Sequence, residues 1–256
     1  LRQVNATFNL TLNVKQPCFK EKKTRQAVAR HLRKNLGDIR PRKDDRYFIR
    51  TNQYVLPTHI GVISEREYDE MTKGFPEMTG LPPVELDQLE FLWFLSREHF
   101  HRIVETLDTI QIRLNVLDFY ETPLPKWNEL LETSPLFPMA MYINYKEIRD
   151  SVEYLDQMGK FCDNRDRIMS ANDRLTATRD KKEKSDLMKE INRLIIDDAV
   201  MIPLYHIVHQ TIINKNYELL SPNEFSSTPK LWKIRKKAGN RAPAEEKAGQ
   251  PTTPPL

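Results

Sequence analysis

Apolar positions along this chain switch between a period of two and a period near 3.6 several times. Residues 4–14 (VNATFNLTLNV) alternate Phe8, Leu10 and Leu12 with Asn9, Thr11 and Asn13, which predicts a strand buried on one face. Residues 21–36 place apolar side chains at helical spacing among many basic ones. That predicts an amphipathic helix with Gly37 as its C-cap. Pro41, Pro57, Gly61, Gly74, Pro76, Gly80 and the Pro82-Pro83 pair interrupt residues 38–85, so that stretch is expected to be irregular. The run 86–95 (LDQLEFLWFL) fits a strand or the start of a buried helix, and periodicity does not choose. A helix over 97–109 follows, with Phe100, Val104 and Leu107 on one side, then a strand over 111–119 (QIRLNVLDF). A short helix with proline at its start is expected over 125–133, and a strand over 136–145 (LFPMAMYINY). Three more helices are expected over 149–159, 165–177 and 182–196.

The last of these leads through the most informative segment, 187–214 (LMKEINRLIIDDAVMIPLYHIVHQTIIN). Leu187, Ile191, Leu194 and Ile195 recur at helical spacing, and the Asp197-Asp198 pair with Pro203 is expected to end the helix. MIPLYHIVHQTII then reads as a strand inside a core. Alternating strands and helices predict an α/β domain with a mixed sheet flanked by helices. The domain is expected over 1–220. Residues 221–256 are expected to form a basic segment and a disordered, proline-rich tail, because 238–256 carries no aromatic residue.

Composition changes little in this picture. A chain of 256 residues, 39% apolar and 30% charged, can bury a core as one large domain or two small ones. No apolar run is long enough to span a bilayer. Leu1-Arg2-Gln3-Val4 reads as the start of a strand and not as a signal peptide, so a mature form or a fragment is expected. The net charge is +4, concentrated in Lys20 to Lys43 and Lys230 to Lys237. These clusters read as a solvated helix face and a basic tail. The second adds a weak attraction to anionic membranes. Without interleaved aromatic residues, no nucleic-acid partner is expected.

The search for chemistry is mostly negative. Cys18 and Cys162 lack metal-ligand spacing, and they are either a pair or two buried thiols. His31, His59, His99, His101, His206 and His209 are scattered; His99 and His101 would oppose each other across a helix. Asn5-Ala-Thr and Asn9-Leu-Thr match the glycosylation pattern but lie in an expected strand. Asp44-Asp45 and Asp197-Asp198 read as turn and cap residues. With 7 glycines and no phosphate-loop or nucleophile-elbow motif, neither a catalytic residue nor a metal or other cofactor is expected, and the chain is not expected to be an enzyme.

Residues 194–205 (LIIDDAVMIPLY) resemble the C-terminal signature of the family 5 extracellular solute-binding proteins, the oligopeptide, dipeptide and nickel receptors of ABC importers. Asn13, Pro17, Phe19, Glu21, Arg25, Gln26 and Ala27 stand in the order of that family's strand, Pro-Phe-x-Asp segment and Arg-Gln-Ala helix. Val55-Leu56-Pro57 resembles its loop proline. Ile110, Ile112, Leu114 and Val116 fit its helix-then-strand unit, which ends "iGi-x-v". Residues 165–187 resemble the helical pair before the signature. The resemblance implies a periplasmic-binding-protein-like C-terminal lobe, with Arg25 as a structural helix residue. It implies a cleft closed over a peptide or other solute by a first lobe or a partner chain. Importer membrane subunits and a periplasmic or extracellular, membrane-associated location in bacteria are implied as well. By alignment the cleft residues are Tyr142, Asn144 and Tyr145. Met141 and Asn144 replace the Trp and Asp of the family's Trp-x-x-Asp-Tyr segment, and Ile148 replaces its following proline. An amide lacks the charge with which a carboxylate binds a peptide ammonium. The alternative is a repurposed lobe, serving as a scaffold or interaction module in a larger assembly or as the sensory domain of a regulator.

Overall fold

The structure is a computed structural model that describes residues 2–36, 48–57, 60–78, 83–90, 97–118, 120–141, 148–157, 159–210, 216–219 and 234–236. Arg2–Gln210 form one compact unit, and residues from Thr211 onward belong to a second.

Strand β1 (Arg2–Leu12) lies near the middle of a four-stranded sheet of order β2-β6-β1-β5, with β2 (Phe48–Arg50), β5 (Leu136–Met141) and β6 (Met201–Gln210). Every pairing in it is antiparallel. The expected one-sided burial of β1 is corrected: Thr7, Asn9 and Thr11 are as deeply buried as Phe8, Leu10 and Leu12. Phe8, Leu10 and Leu12 pack with Val28 and Leu32 of helix α1 (Lys22–Asn35) and with Ile103 and Leu107 of α3 (Arg97–Asp108). The polar side faces inward too. The Thr7 hydroxyl donates to the carbonyl of Tyr54, whose ring packs with residues of α5 (Ile148–Gln157), α6 (Arg165–Ala177) and α7 (Lys181–Asp198). Helices thus cover both faces, and the alternation of β1 marks chemistry rather than exposure. Asn5 and Leu204 are extra residues in the β1–β6 ladder, and Pro203 sits beside the second irregularity, where a strand tolerates it.

Strands β3 (Val84–Leu89) and β4 (Ile112–Leu117) form a separate parallel pair. The side-chain amide of Gln88 ties it to the larger sheet, accepting from Leu136 N–H at 3.0 Å and donating to Leu136 C=O at 3.1 Å. One side chain there takes the place of a ladder step. Gln111, just before β4, has φ 66° in the left-handed region, at the glycine position of the "iGi" pattern.

The stretch 38–85 is corrected as well. It contains β2, the start of β3 and helix α2 (Glu65–Thr72), whose Ser64 N-cap accepts from Glu67 N–H. Gly61, at φ 88°, lets this segment lie on α7: an added Cβ would stand 2.9 Å from the Met188 backbone carbon. The helix between β4 and β5 is α4 (Leu124–Thr133), with proline at its start as expected. Gly37, the 238–256 tail and most of the 221–237 segment lie outside the described residues. In the second unit, β7 (Tyr217–Leu219) pairs antiparallel with β8 (Ile234–Lys236).

The Asp197-Asp198 pair does not stop α7. It forms the last helical turn, and Ala199, at φ 52°, ends the helix. Two carboxylates at a helix C-terminus oppose its dipole, so they need partners. Arg25 is fully buried beside them and spends all five donors. They go to Asp198 C=O at 3.0 Å, Phe19 C=O at 3.2 Å, Lys20 C=O at 2.8 Å, the Asp198 carboxylate at 3.0 Å and the Asp163 carboxylate. Asp198 also accepts from the N–H groups of Cys162 and Asp163. Lys22, Gln26 and Asn164 hold Asp197. Arg25 is therefore the structural helix residue expected. Cys18 and Cys162 are free thiols, the first part-buried and the second exposed, which corrects the alternatives of a pair or two buried thiols.

Candidate functional site at the carboxyl ends of the strands

Open α/β sheets place ligands beyond the carboxyl ends of their parallel strands, where backbone donors and side chains converge. Here those ends are Leu89 of β3 and Leu117 of β4. Each is followed at once by a carboxylate, Glu90 and Asp118. Glu90 N–H donates to Leu117 C=O at 2.9 Å, extending the parallel ladder by one step and fixing Glu90 at its rim. Arg97, the first residue of α3, reaches back to both acids. Its Nε and Nη2 each meet a Glu90 oxygen at 2.8 Å, and Nη2 lies 3.0 Å from Asp118 Oδ2. His101, one turn further along α3, holds Nε2 3.7 Å from Glu90 Oε1. Asp118 Oδ1 also accepts the N–H groups of Tyr120 and Glu121, which sets the turn beyond β4.

The Glu90 side chain is 3% exposed and that of Arg97 is 59% exposed, so a buried acid is tied to a guanidinium that faces water. The hydrogen bond and charge of Glu90 hold the Arg97 guanidinium above its ordinary range. The two Nη1 donors of Arg97 take no described partner. Two carboxylates against one guanidinium leave the group acidic. The site therefore offers donors and acceptors on one rigid patch. That arrangement can hydrogen-bond a polar ligand, and both Glu90 oxygens are engaged by Arg97. Among the described residues, no three His, Cys, Asp or Glu side chains gather as metal ligands would.

A second buried polar group lies in the larger sheet. Thr7 Oγ1 meets His206 Nδ1 at 3.1 Å and donates to Tyr54 C=O at 2.9 Å. Since the hydroxyl proton goes to the carbonyl, Nδ1 carries a proton and donates it to Thr7 Oγ1. Burial pushes the His206 pKa down to about 4. Thr7 is also the register partner of Met141, the last residue of β5. The sequence candidates Tyr142, Asn144 and Tyr145 come directly after Met141 in the chain, and all three lie outside the described residues.

Sequence reading missed Glu90, Arg97 and Asp118. A signal existed: an acidic residue within the apolar run 86–95, another directly after Val116-Leu117, and a basic residue opening the helix between them.

No family model and no curated protein matches the sequence. Solved structures do. HbpA2 from Haemophilus parasuis matches with a TM-score of 0.65 and 13% identity, over 93% of this chain and 49% of that one. The ABC transporter substrate-binding protein CtaP from Listeria monocytogenes gives 0.62 and 16%, over 92% and 51%. A dipeptide-binding protein from Pseudoalteromonas sp. SM9913, in complex with Met-Leu, gives 0.60 and 12%, over 93% and 50%. The chain thus spans about half the length of the structures it matches. The likeness is one of fold: this chain has the fold of the substrate-binding proteins of ABC transporters, over about half of their length.

Proposed function

We propose that the chain is a solute-binding module: one half of a receptor that encloses a peptide or similar polar solute once a first lobe or a partner chain completes the cleft. In this reading it binds and does not catalyse, works outside the cytoplasm, and delivers its solute to the membrane subunits of an ABC importer. The observation that carries the reading is the likeness of fold to half of such proteins. The path of the chain agrees with it. Arg2 is paired with Gln210, so the first and last strands of the unit, the two inner strands of the sheet, end side by side, which suits a lobe connected to another lobe.

The rim of Glu90, Arg97 and Asp118 supplies both acceptors and donors, which suits the alternating polarity of a peptide backbone. Asn144 stands where the resemblance has a carboxylate, so the module should not demand a free ammonium. The test is a thermal-shift screen of the full-length native polypeptide against short peptides, each with a free and an acetylated N-terminus. Ligand at a hundredfold excess over Kd stabilises the folded state by about 2.7 kcal/mol. Some peptides should raise the melting temperature equally in both forms. No shift across a broad library overturns the reading.

A second reading is a repurposed lobe that acts as an interaction module in a larger assembly or as the sensory domain of a regulator. Asn144, in place of the carboxylate of the resemblance, favours it, because an amide lacks the charge that binds a peptide ammonium. In that case the screen is silent while the purified protein carries a stoichiometric protein partner.

A further inference from the structure

Away from the strand ends, a groove runs between α1 and α2 with β2 along its floor. Arg30, Arg33 and Lys34 line it from α1, Arg50 from β2, and Arg66 and Lys73 from α2; Asp69 and Glu70 are the acids among them. Six cations stand against the four carboxylates Glu65, Asp69, Glu70 and Glu77, which leaves an excess of two positive charges.

The way these cations are held matters more than their number. Arg50 Nη2 donates to the carbonyl of Arg33, and Arg30 Nη1 to the carbonyl of Phe75. The Arg33 guanidinium stacks 4.0 Å above the centroid of the Tyr68 ring. Carbonyls and a ring face fix a guanidinium without neutralising it. Carboxylates pair with three of the arginines as well: Glu77 lies 3.2 Å from Arg30 and Glu70 3.0 Å from Arg66, both on exposed side chains. Asp69 stands 3.4 Å from Arg33, Glu65 stands 3.5 Å from it, and both are mostly exposed. Lys34 and Lys73 are exposed, with no described acidic partner. The result is a shallow, pre-ordered groove with an excess of positive charge.

We propose that this groove docks an extended, acidic segment of a partner protein. An extended chain with regular carboxylates can lie along it and meet cations from α1, β2 and α2. A membrane presents a plane and reaches only the rims. Single-stranded nucleic acid needs open aromatic faces for its bases, and among the described residues no aromatic side chain lines the groove; the Tyr68 ring nearby is buried under Arg33. The proposal stands apart from the solute-binding reading.

The test measures fluorescence anisotropy of a labelled Glu-rich peptide with the whole chain at low and physiological salt. A Lys-rich peptide, a single-stranded oligonucleotide and phosphatidylserine vesicles serve as competitors. The acidic peptide should bind, and its affinity should fall with salt. Lys34→Glu with Lys73→Glu should weaken it about tenfold, with unchanged circular dichroism and melting temperature. Equal affinity for wild type and variant, tighter binding of oligonucleotide or vesicles, or no binding at low salt overturns the proposal.

Discussion

Replacing Arg25 with methionine tests how the end of α7 is held. Methionine keeps the apolar stem and removes the charge. Asp198, 1% exposed, then faces no cation, and the carbonyls of Phe19 and Lys20 lose their donors. Deleting one partner of a buried ion pair costs about 3–5 kcal/mol, most of it from the stranded charge. Asp163 is 45% exposed, so water takes over its share and it adds little. For a unit of this size each kcal/mol moves the melting temperature by about 2–4 °C, so a fall of roughly 6–20 °C is expected. Asp198→Asn in the same background should recover part of the loss, with a coupling above about 1 kcal/mol in a double-mutant cycle. The pH dependence has a sign. Burial holds the Asp198 carboxyl above its ordinary value, against the bond from Cys162 and the charge of Arg25. The folded state therefore keeps that proton to higher pH than the unfolded chain, and stability falls as pH rises through the folded value. Without Arg25 the value rises further, so the deficit relative to wild type should be smallest in mild acid and grow toward neutrality. Urea unfolding of both proteins across that range measures it. A loss below about 1 kcal/mol at neutral pH, or strict additivity of the two substitutions, would refute the reasoning.

Two further outcomes follow from single positions. His206 is held at about 4 against an ordinary 6.5, so the unfolded chain takes its proton first on acidification. Stability present above the ordinary value is lost as pH falls toward 4, by up to about 3 kcal/mol. His206→Gln should flatten that part of the urea-midpoint profile, and an unchanged profile counts against a buried neutral ring. Gln111→Gly relieves a left-handed backbone that costs an ordinary residue about 1–2 kcal/mol and adds chain entropy worth about 0.5–1 kcal/mol, so a net gain of about 0.5–1 kcal/mol is expected. A drop in melting temperature would show that the Gln111 side chain holds something the glycine loses.

Much of the fold was legible because local pattern and tertiary role agree. β1, α1, α3, β4, α4, α6 and β6 lie close to where periodicity puts them. The failures have distinct physical causes. α2 is short and charged, set among glycines and prolines that suggest a loop. Its Ser64-x-x-Glu67 cap was in the sequence, but the breakers around it outweighed it. The Asp197-Asp198 pair reads as a stop because acids oppose the dipole at a helix end, and what offsets that is Arg25, far away in sequence. Thr7, Asn9 and Thr11 look solvent-facing because only a second helical layer, contributed by the last third of the unit, makes that face interior. The candidate site was harder still. Glu90, Arg97 and Asp118 are joined by the parallel pairing of β3 and β4, and no local pattern announces which strands become neighbours. The resemblance pointed instead to Tyr142, Asn144 and Tyr145, beyond the described end of β5.

The pairing of Arg2 with Gln210 has a consequence for engineering. The two ends of the compact unit are one strand spacing apart, about 5 Å. Such a unit is suited to be a guest. Spliced into a surface turn of another protein, it would leave the host's ends almost where they were, and the closure entropy would be small. The same spacing permits a circular permutant. A short linker would join the old ends, and new termini would open in the exposed turn at 178–180 between α6 and α7, with the β1–β6 ladder left whole.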